Sequence, residues 1–177
     1  EYKISINYTT LVIKIIDQLY DGIHTSKIDE LTAEQCASQI TQHPDFGKLG
    51  SHLIISNHHK NTKDSFVDVM NDLYNFKDVN NIHVPILSNK FMEDVIYCKN
   101  EIEQIIDYNR DYLIDYFGFK TLERAYLIKN QKKNMIIERP QDMWMRVASF
   151  LNQGDMKSIK LTYDLMSKGY YTHASPT

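Results

Sequence analysis

Cysteine is nearly absent from this chain, glycine is sparse and scattered, and neither sign of charge dominates. Each absence closes off a class of protein. The 2 cysteines among 177 residues, Cys36 and Cys98, fall in helix-like stretches and cannot support a disulfide framework, so a reducing compartment is the natural reading. The 6 glycines occur singly, and neither GxGxxG nor GxxxxGK[ST] is present, which removes the phosphate-cradling glycine loop. A formal net charge of −3 gives no general attraction to nucleic acid or to an anionic membrane, and the basic cluster at Lys132 and Lys133 is short. No apolar run approaches the roughly 18 to 20 residues of a membrane span, since LVIKII at 11–16 is interrupted by Lys14. The first residues have neither the basic flank nor the apolar centre of a secretory signal. Nucleic acid and membrane are therefore not expected partners.

What is present is a composition 42% hydrophobic and 24% charged, enough for one sizeable core or two small ones. The densest stretch is 107–127, DYNRDYLIDYFGFKTLERAYL, where Tyr108, Tyr112, Tyr116, Phe117, Phe119 and Tyr126 can each remove roughly 150 to 250 Å² from water. It reads as a hub on which flanking amphipathic helices dock. Helical spacing of Leu11, Val12, Ile15, Ile16, Leu19 and Tyr20, with Gly22 as a C-cap, predicts a helix over 9–21. Further helices are expected from HTSKID to just before Pro44, from near Asp45, over about 62–76, from Ser88 as one long helix, from Pro140, and over 156–168. KDVNNIHVP at 77–85 is the turn-forming junction, and YLIKNQKKNMIIERP carries a hairpin signal.

The 7 histidines invite a metal, but their spacing argues against one. His58 and His59 point about 100° apart on a helix, no HExxH occurs, and no Glu is followed three residues later by His. Surface or capping histidines are expected, and no metal ligand is assigned. Neither cysteine has a neighbouring His or an obvious helix N-terminus to lower its pKa, so both are expected to be core residues and no catalytic residue is assigned. Thr25, Asp29 and Lys60 form the one polar constellation with a plausible ligand. The residues alone favour a plainer reading, a capped helix with a solvated lysine.

At the hub, YFGFKTLERAYL, preceded by DYNRDY and followed by ERPQDMWMRVA, resembles the amino-terminal region of the large subunit of class I ribonucleotide reductase, of the eukaryotic and viral type. YDGIHTSKIDELTAE, HPDFGKLGSHLIISNHHKNTKDSF, DLYNF and YYTHASPT fall in the family's order, so the resemblance covers essentially the whole chain. It implies a mainly α fold, the helical amino-terminal domain with a short β-hairpin, ending at the first strand of an α/β barrel missing from the chain. The implied divisions are 1–63, the later helices of an ATP-cone; 64–169, the helical domain; and 170–177, the start of the barrel. The resemblance further implies reduction of ribonucleoside diphosphates by thiyl-radical chemistry, a small metal-containing subunit that supplies the radical, a large-subunit homodimer, and switching by the effectors ATP and dATP. A cytoplasmic location, or the host cytoplasm for a viral source, goes with it.

Carried over by position, Thr25, Asp29 and Lys60 match effector contacts, and Ser175 matches a serine that touches substrate. The resemblance, and not the spacing, turns the balance toward a ligand at Thr25, Asp29 and Lys60. Glu123 and Arg124 are expected to be structural, holding the helical domain against the barrel. The chain does not begin with Met and stops at HASPT, so both ends look cut. The cone's preceding basic hairpin and the family's catalytic cysteines are expected to lie outside it, leaving this segment without turnover and without a cofactor of its own. The alternative is a stand-alone helical module that binds a nucleotide or a protein partner.

Overall fold

The computed structural model describes residues 6–130 and 135–172. Its elements in chain order are α1 (Tyr8–Ile16), α2 (Thr25–Ser38), α3 (Pro44–Lys60), α4 (Phe66–Tyr74), α5 (Asn89–Tyr97), α6 (Lys99–Ile105), a 3-10 helix (Tyr108–Leu113), α7 (Tyr116–Ala125), β1 (Lys129–Asn130), β2 (Met135–Ile136), α8 (Pro140–Asn152) and α9 (Met156–Ser167). The fold is mainly helical, and the two short strands pair antiparallel, Lys129 with Ile136 and Asn130 with Met135. The hairpin's turn with Lys132 and Lys133, and Ser175 near the end, lie outside the described residues.

The chain divides into two compact units, one of Glu1–Asn61 with Ile114–Ala125, the other of Thr62–Leu113 with the residues from Tyr126 onward. In the first, α2 and α3 lie closest at Gly50. A Cβ there would come within 3.1 Å of the Ala33 carbonyl oxygen and 3.2 Å of Cys36 Cβ, so only glycine lets the two backbones approach this far. Phe46 and Ile54, one turn to either side of Gly50, are buried. Although α7 lies inside the 64–169 span, it packs with α3. Its Phe119 is buried and meets the buried His58 edge-on at 5.1 Å between ring centroids.

The second unit is built on one apolar cluster. α4 contributes Phe66, Val67, Val69, Met70 and Leu73, which are met by Phe91 and Val95 of α5, Ile102 of α6, Met145 of α8, and Ile159, Tyr163 and Met166 of α9. Each such side chain stabilises the unit by roughly 1.5–3 kcal/mol relative to an exposed one. α9 starts where Asp155 caps it, its Oδ1 accepting from the Lys157 N–H at 3.1 Å.

Several expected boundaries shift, each for a local reason. α1 stops at Ile16, and of its apolar residues only Leu11 is buried, while Val12, Ile16, Leu19 and Tyr20 are exposed. Asn7 caps its start through a 3.1 Å bond from the Thr9 N–H. α4 begins late because the Ser65 hydroxyl accepts from the Asp68 N–H at 3.3 Å, fixing the cap there. The long helix from Ser88 is broken at Cys98, whose carbonyl accepts from both Glu101 and Ile102 N–H groups, at 3.1 and 3.0 Å, and tightens the turn. The aromatic hub is split. Tyr116 and Phe119 are buried in the first unit, Tyr108 belongs to the second, and Phe117 and Tyr126 are exposed.

Candidate functional site

α2 starts at Thr25 because His24 adopts extended backbone and its Nδ1 accepts from the Ser26 N–H at 3.3 Å. Thr25 and Asp29, four residues apart, share a helical face, with Thr25 at the dipole's positive end. Lys60 closes α3, and its Nζ donates to Asp29 Oδ2 at 2.8 Å across the two helices. One turn earlier on α3, Asn57 Nδ2 donates to the Ser26 carbonyl at 3.0 Å. The structure thus brings Asp29 and Lys60 together and places Thr25 one turn before Asp29 on the same helix. Lys60 is paired, not simply solvated as the plainer reading had it. The pair stays accessible, with the Lys60 side chain 64% and the Asp29 side chain 30% exposed.

Next to these residues, α2 and α3 hold α7. Lys120 bridges Glu123 and Glu30, lying 3.7 Å from the latter. Burial alone would lower the Lys120 pKa, but the two carboxylates outweigh it and hold the ammonium above its usual value. Glu123 therefore pairs along its own helix, and Arg124 is exposed.

Histidines take two different roles here. His24 and His43 cap helices, the latter accepting from the Asp45 N–H at 3.2 Å. His58 departs from the expected surface or capping role, being only 8% exposed against Phe119. Among the described residues no group of three or more His, Cys, Asp or Glu side chains could hold a metal ion, and no helix is long and apolar enough to cross a membrane. Both cysteines are buried and unpaired, and burial pushes the Cys36 thiol up to about 11 and the Cys98 thiol above its ordinary value.

The densest polar constellation went unread in the sequence. In the second unit, the run ERPQDMWMR starts α8 with its polar residues inward. Glu138 is fully buried, and its carboxylate takes a fork from Arg146, with Nε at 3.0 Å and Nη2 at 2.8 Å. It also accepts from the Ile128 N–H at 3.0 Å, tying the hairpin to α8. Asp142 accepts from the Arg139 N–H at 2.8 Å and from the Tyr108 hydroxyl at 2.7 Å. Tyr163 donates to Gln141 Oε1 at 2.6 Å, and Gln141 donates to the buried Asp111 at 3.0 Å. Arg139 lies over the Tyr108 ring at 4.8 Å and donates to Thr62 Oγ1 at 3.0 Å. Burial, opposed by the bonds from Arg139 and Tyr108, raises Asp142 to about 7. The available signal was Pro140 at a first helical position followed by Asp142 at the third, the acidic half of a capping box.

A mainly helical fold with one small hairpin is the class of fold that the matching family's description gives. The family described as "Ribonucleotide reductase, all-alpha domain" matches residues 112–177. The chain is 45% identical over 168 residues to the ribonucleoside-diphosphate reductase large subunit of Variola virus, covering 94% of this chain and 22% of that protein. It is 42% identical over 170 residues to the large subunit of Danio rerio, covering 96% and 21%, and 42% identical over 165 residues to that of Arabidopsis thaliana, covering 93% and 20%. Over more than nine-tenths of its length the chain is similar to ribonucleotide reductase large subunits, and it spans about a fifth of the length of these relatives.

Proposed function

We propose that the chain serves as the helical amino-terminal part of a ribonucleoside-diphosphate reductase large subunit, carrying effector contacts for a catalytic barrel elsewhere in the protein. The observation that carries this reading is the 45% identity spread over 94% of the chain. The whole protein converts ribonucleoside diphosphates to deoxyribonucleotides by thiyl-radical chemistry, with a small subunit supplying the radical. Within this segment Cys36 and Cys98 are buried with raised thiol pKa values, the opposite of what an exposed, reactive thiolate requires. Its contribution is regulatory and structural.

At Thr25, Asp29 and Lys60 the chemistry of an ATP or dATP effector is an exchange of partners. A phosphate oxygen draws Lys60 away from Asp29, to which it donates at 2.8 Å without ligand, and Asp29 is then free to accept from ribose hydroxyls or the adenine amine. Thr25, in the first turn of α2, adds a hydroxyl at the helix's positive end. Ser175 supplies a hydroxyl to the substrate where the chain enters the barrel. Large-subunit dimerisation, the radical-supplying subunit and a cytoplasmic setting complete the reading.

The test is a chimera in which this chain replaces the matching residues of the Vaccinia virus large subunit, 45% identical over 168 residues. The chimera is expected to retain reductase activity, and Lys60→Met in it to change the response to ATP and dATP while activity without effector stays. A soluble, folded chimera with no activity, or one whose effector response ignores Lys60→Met, overturns the reading.

A further inference from the structure

Thr25 and Asp29 belong to α2, whereas Lys60 belongs to α3, so a phosphate chain that meets the Thr25 hydroxyl and the Lys60 ammonium together must reach two helices. The closest approach of these helices, Gly50 against Ala33, lies some way from that place. At 1.5 Å per residue, Ser26 stands roughly 10 Å before Ala33 along α2, and Asn57 roughly 10 Å beyond Gly50 along α3. Two helices that touch at one point still pivot about it, and a second tie is needed to fix their ends.

Asn57 makes that tie. Its Nδ2 donates to the Ser26 carbonyl at 3.0 Å, and its Oδ1 accepts from Asn61 Nδ2 at 3.1 Å. Ser26 follows Thr25 in the first turn of α2, and Asn61 is the cap residue that follows Lys60. Each half of the amide thus meets a partner of the opposite kind, which fixes its orientation. Asn61 Nδ2 also donates to the Asn57 carbonyl at 2.7 Å, closing the last turn of α3 around the same residue. The bond between Lys60 and Asp29 cannot fill this role. The Lys60 side chain is 64% exposed on a flexible stem, and its bond to Asp29 is the one given up when a phosphate draws the ammonium away. The Asn57 bonds are untouched by that exchange.

We infer that Asn57 is a positioning residue for effector binding. It holds the start of α2 and the end of α3 at the spacing that lets one phosphate chain meet Thr25 and Lys60 together, and it acts through those residues. The inference rests on the reading of Thr25, Asp29 and Lys60 as effector contacts.

The test titrates ATP into the ¹⁵N-labelled chain and into its Asn57→Ala and Asn57→Leu variants. Leucine has the branching and heavy-atom count of asparagine and a higher helix propensity, so Asn57→Leu preserves α3 where Asn57→Ala fails to fold. In the parent, amides 24–29 and 57–60 are expected to follow one binding curve. Each variant is expected to weaken ATP about fivefold and to split that curve, the two sets of amides saturating at different ATP concentrations. Weaker binding on a single curve makes Asn57 a packing residue and overturns the inference. Binding that Lys60→Met weakens but both Asn57 variants leave within twofold overturns this inference alone. No saturable shift at either set of amides in the parent overturns it together with the effector reading.

Discussion

Removing Arg146 tests the α8 network where it is most exposed to failure. Glu138 is 0% exposed, and its carboxylate accepts from the Nε and Nη2 of Arg146, at 3.0 and 2.8 Å. Arg146→Met keeps the length and apolar stem of the side chain but takes from a buried carboxylate the cation that forks onto it. Breaking a buried ion pair from one side costs about 3–5 kcal/mol. Glu138→Gln loses the charge but keeps an oxygen for Ile128, so its cost is smaller, about 1.5–3 kcal/mol for a charge-assisted bond. Once Glu138 is neutral, Arg146→Met strands no buried charge, and the double variant falls short of the sum of the singles by about 2 kcal/mol, within the range for residues in direct contact. Trp144, the only tryptophan, packs against the same unit's core from α8. Its fluorescence through a urea titration therefore reports this unit. An Arg146→Met variant within 1 kcal/mol of the parent, or strict additivity in the cycle, refutes the reasoning.

Asp142, at about 7 in the folded state, holds a proton that the unfolded chain releases near pH 4. Its stabilising contribution is thus complete below about pH 4 and is lost as pH rises to 7, by at most about 4 kcal/mol. Asp142→Asn removes that dependence, so urea midpoints of variant and parent should move toward the variant's favour from pH 4 to 7; a constant difference contradicts the assignment. Gly50→Val pushes a side chain against the Ala33 carbonyl and Cys36, and is expected to destabilise α2 and α3 by about 1–3 kcal/mol, read as faster hydrogen exchange of their amides; unchanged exchange counts against the close approach. The 177-residue chain, supplied with a small subunit and a dithiol reductant, is expected to make no deoxynucleotide above background, and measurable product would refute the reading of Cys36 and Cys98 as inert core thiols.

Helix positions were legible where caps and apolar spacing agree. The start expected near Asp45, Ser88 before α5, and Asp155 before α9 are starts that the structure keeps to within a residue. α1 misled because spacing shows that a stripe exists but not that anything covers it, and Val12 and Ile16 remain exposed. The break at Cys98 depends on a carbonyl shared by two N–H groups, which no residue type announces. The pairing of Asp29 with Lys60 spans 31 positions and comes from the α2–α3 crossing at Gly50, a tertiary fact. Likewise Glu138, Gln141 and Asp142 read as a polar helix start, and only their burial turns them into a core network. The family resemblance reached further than the physics because its motifs, such as YFGFKTLERAYL, are contiguous.

The central claim, that Thr25, Asp29 and Lys60 contact a nucleotide effector, is tested most directly by titrating ATP and dATP into the ¹⁵N-labelled chain. Lys60 is the cation of this constellation, it is mostly exposed, and it must leave Asp29, so binding is expected in the millimolar range, with shifts centred on residues 24–29 and 57–60. Lys60→Met is expected to weaken those shifts about tenfold. Saturable binding that bypasses these residues, or binding indifferent to Lys60→Met, contradicts the account.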